Sequence, residues 1–279
     1  MLKRQDIRIR DPFIFTDKAE GCYYMYGTTA LCNNSLRANA SFSVFKSYDL
    51  ENFSEPKVIF DGETCGFWAD RDYWAAEMHE FNGKYYLFGS VKAEGRCRAT
   101  EIFVCDTPDG EFVPICQETV TPKDWECLDG TLYVEKGVPY MIFCHEWVQV
   151  GDGEMCALQL SEDLSQAVGE PFLLFKASSE PTVEDVHRKG TANYVTDGPF
   201  IYREGDKLHM IWSSLTEGAK YAVLMAESDS LFGEWRQLGS HFDFDGGHAM
   251  VFNTLEGKRM IALHAPNTAD NERATFYDF

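Results

Sequence analysis

Five residues far apart in the chain could do chemistry together: Asp11, Glu77, Asp129, Asp197 and His248. Each opens, or nearly opens, a short segment of the same form. Four carboxylates and one imidazole brought to one place repel and raise one another's pKa. Proteins keep such clusters for proton transfer or for holding a metal. A single aspartate at a strand start does no more than cap a turn through its side chain. Three in register, each followed by Pro or Gly (Asp11-Pro12, Asp129-Gly130, Asp197-Gly198), point beyond turn capping.

The segments that carry them are five hairpins. They run from Asp11 to Thr29, Ala76 to Ser90, Asp129 to Trp147, Asp197 to Ser214 and Gly246 to Asn267. In each, a short alternating apolar run leads through a Gly-containing turn, such as Asn82-Gly83 or Lys136-Gly137, into an aromatic-rich run. That is the pattern of two antiparallel strands joined by a tight turn. A weaker strand–turn–strand unit lies between successive hairpins, as in Ser43–Phe60, Glu101–Ile115, Cys156–Phe175 and Ala222–Leu238. The repeat recurs every ~60 residues, somewhat longer than common propeller repeats. Hairpin plus hairpin makes a four-stranded antiparallel blade, and a closed ring buries the faces that one blade leaves open. The expected fold is all-β: a five-bladed β-propeller around a central channel, one catalytic domain over residues 1–279. After the fifth hairpin only one outer strand remains, near Ala274–Phe279, and Lys3–Arg10 is expected to supply another and close the ring. Two long loops, Asp61–Trp74 and Lys176–Val195, lead into innermost strands and should lie near the axis.

Composition narrows the partners. The chain has 279 residues, 25 Lys+Arg against 45 Asp+Glu and a net charge of −20. Nucleic acid and anionic membrane need a basic footprint, so neither is expected as a partner. No apolar run approaches the length of a spanning helix, and MLKRQDIRIRDP lacks the apolar core of a signal peptide. Nine cysteines, an odd number with no C-x-x-C spacing, read as free thiols and a cytoplasmic location.

Arg10-Asp11-Pro12, Asp129 and Asp197-Gly198-Pro199, taken in order, resemble glycoside hydrolase family 43 over essentially the whole chain. The resemblance implies a five-bladed propeller and an inverting hydrolase of terminal α-L-arabinofuranosyl or β-D-xylosyl residues on plant-type oligosaccharides. It implies Asp11 as general base, Asp129 as the residue that tunes and orients the acid, and Asp197 as general acid. The family has Glu at that last position, so this acid is one methylene shorter. Glu146 is the reserve acid, although its place at the end of a second strand is expected to put it at the far end from the mouth. His248, in Gly246-Gly247-His248, matches a channel histidine that helps hold a water-coordinated ion, often Ca2+. No cofactor is required for the chemistry. Trp74 precedes Ala75-Ala76-Glu77, which is similar to the family's Trp-Ala-Pro-Glu. Trp74, Glu77, Glu146 and Trp147 are substrate-binding candidates, with Trp68 and Tyr73 as further rings on which sugar C–H faces could stack. Two other readings stay open: a glycoside phosphorylase, which would need basic groups for phosphate, and a sugar-binding propeller without catalysis.

Overall fold

The structure, a computed structural model, describes residues 1–29, 40–187 and 189–279. Among these residues the strands form five antiparallel sheets, the blades of a five-bladed β-propeller. The inner strands are Arg10–Asp17, Arg71–Phe81, Cys127–Glu135, Asp197–Glu204 and Gly247–Asn253. Each pairs with a second strand: Cys22–Thr28, Lys84–Lys92, Val138–His145, Lys207–Thr216 and Arg259–Ala265. These second strands are covered on both faces, so they read as near-continuous apolar runs. In Cys22–Thr28 all seven residues are buried. The apolar cores lie between neighbouring blades. One between the third and fourth, for example, collects Cys144, Met155, Met210, Trp212 and Leu224.

The sheets are not uniform. The first has six strands, the next three have four, and the last has three. The expected fourth strand from Lys3–Arg10 is not there. Leu2–Lys3 pairs with Asn52–Phe53 in the first blade, and the chain then turns through a 3-10 helix at Arg4–Asp6. That turn puts polar groups, rather than a strand, against the last blade. Arg4 Nη1 donates to the Ala274 carbonyl at 3.0 Å, Arg273 Nε to Gln5 O at 2.8 Å, and the Ile9 N–H to Glu272 O at 3.3 Å. Buried Ile7 and Ile9 anchor the segment. The last blade ends on Arg273–Asp278, close to the expected outer strand.

The eight described cysteines are all free, and Cys22, Cys127, Cys144 and Cys156 are buried. Cys32 lies outside the described residues. No helix among the described residues is long and apolar enough to cross a membrane.

Candidate active site

Every inner strand opens with the same irregularity. Arg10 pairs with Thr28 and Phe13 with Tyr26, so two residues face one; the other four blades repeat this bulge after Trp74, Leu128, Asp197 and Gly247. The first residue of each bulge has a left-handed backbone: Asp11 (φ 54°), Ala75 (47°), Asp129 (55°), Gly198 (51°) and His248 (53°). Asp and Gly tolerate that region better than most residues. The register corrects the sequence reading. Asp11, Asp129 and His248 are true equivalents; Asp197 stands one position early and Glu77 two positions late, level with Phe13, Thr131, Phe200 and Met250.

A bulged N–H needs an acceptor, because buried donors are rarely left unpaired. The preceding blade supplies it. Ala75 N–H donates to Thr28 Oγ1 at 2.8 Å, Asp129 N–H to Ser90 Oγ at 2.9 Å, and His248 N–H to Ser213 Oγ at 2.8 Å. Asp11 N–H donates to His264 Nδ1 at 3.1 Å, from the fifth blade. Thr28, Ser90, Ser213 and His264 occupy one position of the second strand, opposite Arg10, Trp74, Asp197 and Gly247. At the third blade that position is Cys144, opposite Leu128, and a thiol is a weak acceptor. There the Gly198 N–H donates instead to Asp129 Oδ2 at 3.0 Å. This draws the Asp129 carboxylate against the residue next to Asp197.

One cavity of about 330 Å³ gathers Asp11, Asp129, Asp197, His248, Trp74, Glu146 and Trp147, with Arg10, Thr28 and Tyr221 also in its wall. Seven of the eight site residues read from the sequence meet there. Glu146 is at the mouth, not the far end: in an antiparallel hairpin the second strand finishes beside the start of the first, and His145 pairs with Cys127. Glu77 is the one that does not line the pocket. It is buried beside His79, whose Nε2 lies 3.3 Å from Glu77 Oε2. Tyr73 is core, its hydroxyl donating to Ala69 O, and Trp68 lies in a separate side pocket under Arg96. Trp74 carries the Arg98 guanidinium 3.9 Å from its ring centre, and Arg98 also pairs with Asp72 (3.2 Å) and Glu146 (3.4 Å). His187 meets the Trp147 ring edge-on at 5.6 Å.

The three aspartates differ in charge state. Burial alone would raise Asp11, but His248 (Nδ1 to Oδ1 3.2 Å) and Arg10 outweigh it and hold Asp11 well below the usual carboxylate range. Thr28 Oγ1 adds a hydrogen bond to Asp11 Oδ2 at 2.6 Å. Asp197 goes the other way. Burial and then the negative charge of Asp129 push it up to about 8. Asp129 is itself raised, to about 6, by burial against the pull of His248. Burial also raises Glu146, with Arg98 opposing. Burial pushes His264 down to about 4, consistent with a neutral ring whose Nδ1 accepts from Asp11. His248 is drawn up to about 10 by Asp11 and Asp129 despite its burial.

A metal can be tested against these groups. His248 turns Nδ1 toward Asp11 and Asp129, and its Nε2 is buried without a hydrogen-bond partner. An imidazole oriented by carboxylates on one nitrogen and open on the other suits a metal ligand once Nε2 gives up the proton that Asp11 and Asp129 hold on the ring. Among the described residues no three ligand atoms converge there; the single such group is Asp17, Glu20 and Cys22, elsewhere. The donors fit one imidazole ligand with water filling the remaining positions.

Asp197 gives a stability prediction. Its folded pKa lies above its unfolded one, so folding takes up a proton between about pH 4 and pH 8, and stability falls as pH rises through that window. Asp197→Asn removes the penalty. Its melting temperature should exceed wild type by a few °C at pH 8 and by little at pH 4. A gain equal at both pH values would contradict the raised pKa.

Arg10, Thr28, Arg98, Tyr221 and His264 escaped the sequence reading. Arg10 stood in the quoted motif without a role, and the shared strand position of Thr28, Ser90, Ser213 and His264 was the signal for the ring of hydrogen bonds.

A ring of blades that sets an ionised and a protonated carboxyl group in one pocket meets the needs of glycosidic-bond hydrolysis. Residues 6–278 match the glycosyl hydrolases family 43, and the chain belongs to that family of glycoside hydrolases. An endo-arabinase structure from Bacteroides thetaiotaomicron VPI-5482 is similar with a TM-score of 0.91 and 40% identity, over 100% of this chain and 96% of that one. The α-L-arabinofuranosidase structure from Lactobacillus brevis shares the fold, with a TM-score of 0.76 and 17% identity over 100% and 94% of the two chains. The extracellular exo-α-(1→5)-L-arabinofuranosidase ArbA of Cellvibrio japonicus is 24% identical over 265 residues, 82% of this chain and 74% of its own length.

Proposed function

We propose that the protein is an inverting exo-hydrolase of α-L-arabinofuranosyl linkages in short arabinan-type oligosaccharides. The observation that carries this reading is the meeting of Asp11, Asp129 and Asp197 in one pocket, with Asp11 paired to His248 and lowered while burial and Asp129 raise Asp197. Asp11 is the general base and takes a proton from the attacking water. Asp197, protonated at neutral pH, gives its proton to the leaving oxygen as the glycosidic bond breaks. Water bonds to the anomeric carbon from the opposite face, so its configuration inverts. Burial, and then the charge of Asp129, keeps Asp197 protonated. Trp74 and Trp147 offer faces for sugar stacking, and Glu146 accepts from sugar hydroxyls. Arabinofuranosyl is favoured over xylosyl by the names of the relatives at 40% and 24% identity. A cytoplasmic enzyme would receive its oligosaccharides by import.

The test is incubation with (1→5)-α-L-arabino-oligosaccharides and β-(1→4)-xylo-oligosaccharides, with and without phosphate. Arabinose as first product, released as the β-anomer by proton NMR, is expected. A sugar phosphate, or no turnover on either series, would refute the reading. Likeness to the Bacteroides enzyme favours an endo cut as the second reading, and early release of di- and trisaccharides would establish it.

If Ca2+ binds, His248 Nε2 and water hold it, and its charge steadies the channel carboxylates. Chelation should then leave kcat within about 2-fold and lower the melting temperature by a few °C. Complete loss of rate on chelation would give the ion a part in the chemistry.

A further inference from the structure

We propose that His264, Asn267, Asp245 and Tyr221 form one positioning frame that fixes the base Asp11 and the acid Asp197 relative to each other. The inference rests on the base and acid roles proposed above. Its centre is Asp245, in the connection from the fourth blade to the fifth. Asp245 Oδ1 accepts the Tyr221 N–H at 3.0 Å, and Oδ2 accepts the Asn267 N–H at 2.9 Å. One carboxylate thus ties together two backbone segments that lead to opposite catalytic groups.

The first branch ends on the acid. Tyr221 is buried, and its hydroxyl donates to Asp197 Oδ2 at 3.1 Å. The second ends on the base. Asn267 Oδ1 lies 3.2 Å from His264 Nε2, and His264 Nδ1 accepts the Asp11 N–H. Since Nδ1 accepts, the ring proton sits on Nε2 and is donated to Asn267. Asn267 therefore fixes the tautomer that Asp11 needs. The two branches meet again where the Tyr221 and His264 rings stack, with centres 5.4 Å apart and planes 20° apart.

The frame differs from the rest of the ring. At Ala75, Asp129 and His248 the bulged N–H meets a Ser or Thr hydroxyl, which can turn to donate or accept. Only at Asp11 is the acceptor a fully buried imidazole with a support of its own. Asp11 holds a left-handed backbone, which costs energy and persists only when its surroundings enforce it. His264, Asn267 and Asp245 are not in the pocket wall, so they act through Asp11 and Asp197 rather than on substrate.

The branches predict different leaving-group behaviour, because a good leaving group needs no proton. The experiment measures kcat and KM for phenyl and dinitrophenyl α-L-arabinofuranosides, or the xyloside pair if wild type prefers it. His264→Leu should lower kcat about 100-fold on both substrates with KM within about 3-fold. His264→Asn, whose Oδ1 can stand in for Nδ1, should recover to within about 10-fold of wild type. Tyr221→Phe should lose about 10-fold on the phenyl substrate and little on the dinitrophenyl one. If His264→Leu does not fold, Asn267→Ala, which keeps the ring but frees its tautomer, takes its place with the same expectation. The proposal is overturned if the His264 variant stays within about 3-fold of wild type. Equal impairment of the Leu and Asn variants, or a Leu defect that vanishes on the dinitrophenyl substrate, overturns it too. Asp197→Asn is the control for the underlying reading. If its own defect does not depend on the leaving group, the acid assignment fails, whatever His264 does.

Discussion

Asp11→Asn lowers kcat by about 1,000-fold or more on every substrate the enzyme cleaves, dinitrophenyl glycosides included. The amide is close in size to the carboxylate but cannot take a proton from water, and a positioned general base is worth roughly 10²–10⁴-fold. Leaving-group quality does not help, because the missing step is activation of the nucleophile. Far-UV circular dichroism should be unchanged, since Asn also accepts the left-handed backbone. Stability should fall. The folded pKa of Asp11 lies below the unfolded one, so its ionised form stabilises the protein above about pH 4, and that contribution is lost as pH drops. The variant's melting temperature should therefore trail wild type at pH 7 and trail it by a smaller margin at pH 3. Steady-state kinetics and a thermal scan at the two pH values test both halves. Activity within a few-fold of wild type would remove Asp11 from the base role.

The second large effect belongs to Asp197→Asn, and it is selective. On arabino-oligosaccharides, whose leaving alkoxide needs a proton, kcat should fall about 1,000-fold. On a dinitrophenyl arabinofuranoside the loss should shrink to about 10-fold. The wild-type pH profile carries the same information. A general acid must be protonated to act, so if Asp197 is that acid, kcat/KM should decline as pH rises through about 8. The titration belongs to Asp129 and Asp197 together, so Asp129→Asn, which removes the neighbouring charge, should move that basic limb to lower pH. Glu146 makes a sharp comparison. It lines the same pocket but is held by Arg98 through Nε at 3.4 Å. Glu146→Gln should weaken substrate binding and leave the basic limb and the leaving-group dependence where they are. If Glu146→Gln instead reproduces the selective pattern, the reserve acid becomes the acid.

Much of this site was legible in the chain itself. Paired apolar runs separated by Gly turns gave the blades, because a strand buried on both faces has few options but continuous apolar side chains, as in Cys22–Thr28. Asp11, Asp129 and His248 could be aligned because the bulge that starts each inner strand favours the same few residue types. Asp197 and Glu77 were misaligned for the same reason. The bulged residue of the fourth blade is Gly198 and that of the second is Ala75, and neither carries a carboxylate that marks the position. Glu146 was misplaced by following the chain outward rather than folding the hairpin back on itself. The N-terminal strand failed because Arg4–Asp6 turns, and single-residue polar contacts leave no periodic trace. Tyr221 and His264 sit inside apolar strands where a tyrosine or a histidine reads as core. Their polar atoms bond Asp197 and Asp11 directly, and the supports behind them, Asp245 and Asn267, are connected to them by no spacing.

The ring of blade-to-blade hydrogen bonds has a consequence for the order in which the enzyme comes to life. All three aspartates are synthesised before the fifth blade, which begins at Gly247. Yet the backbone of Asp11 is held by His264, in the second strand of the fifth blade. If these aspartates have the proposed roles, a nascent protein with all three already synthesised should therefore remain inert. On that reading, the first bond broken waits on a residue of the fifth blade.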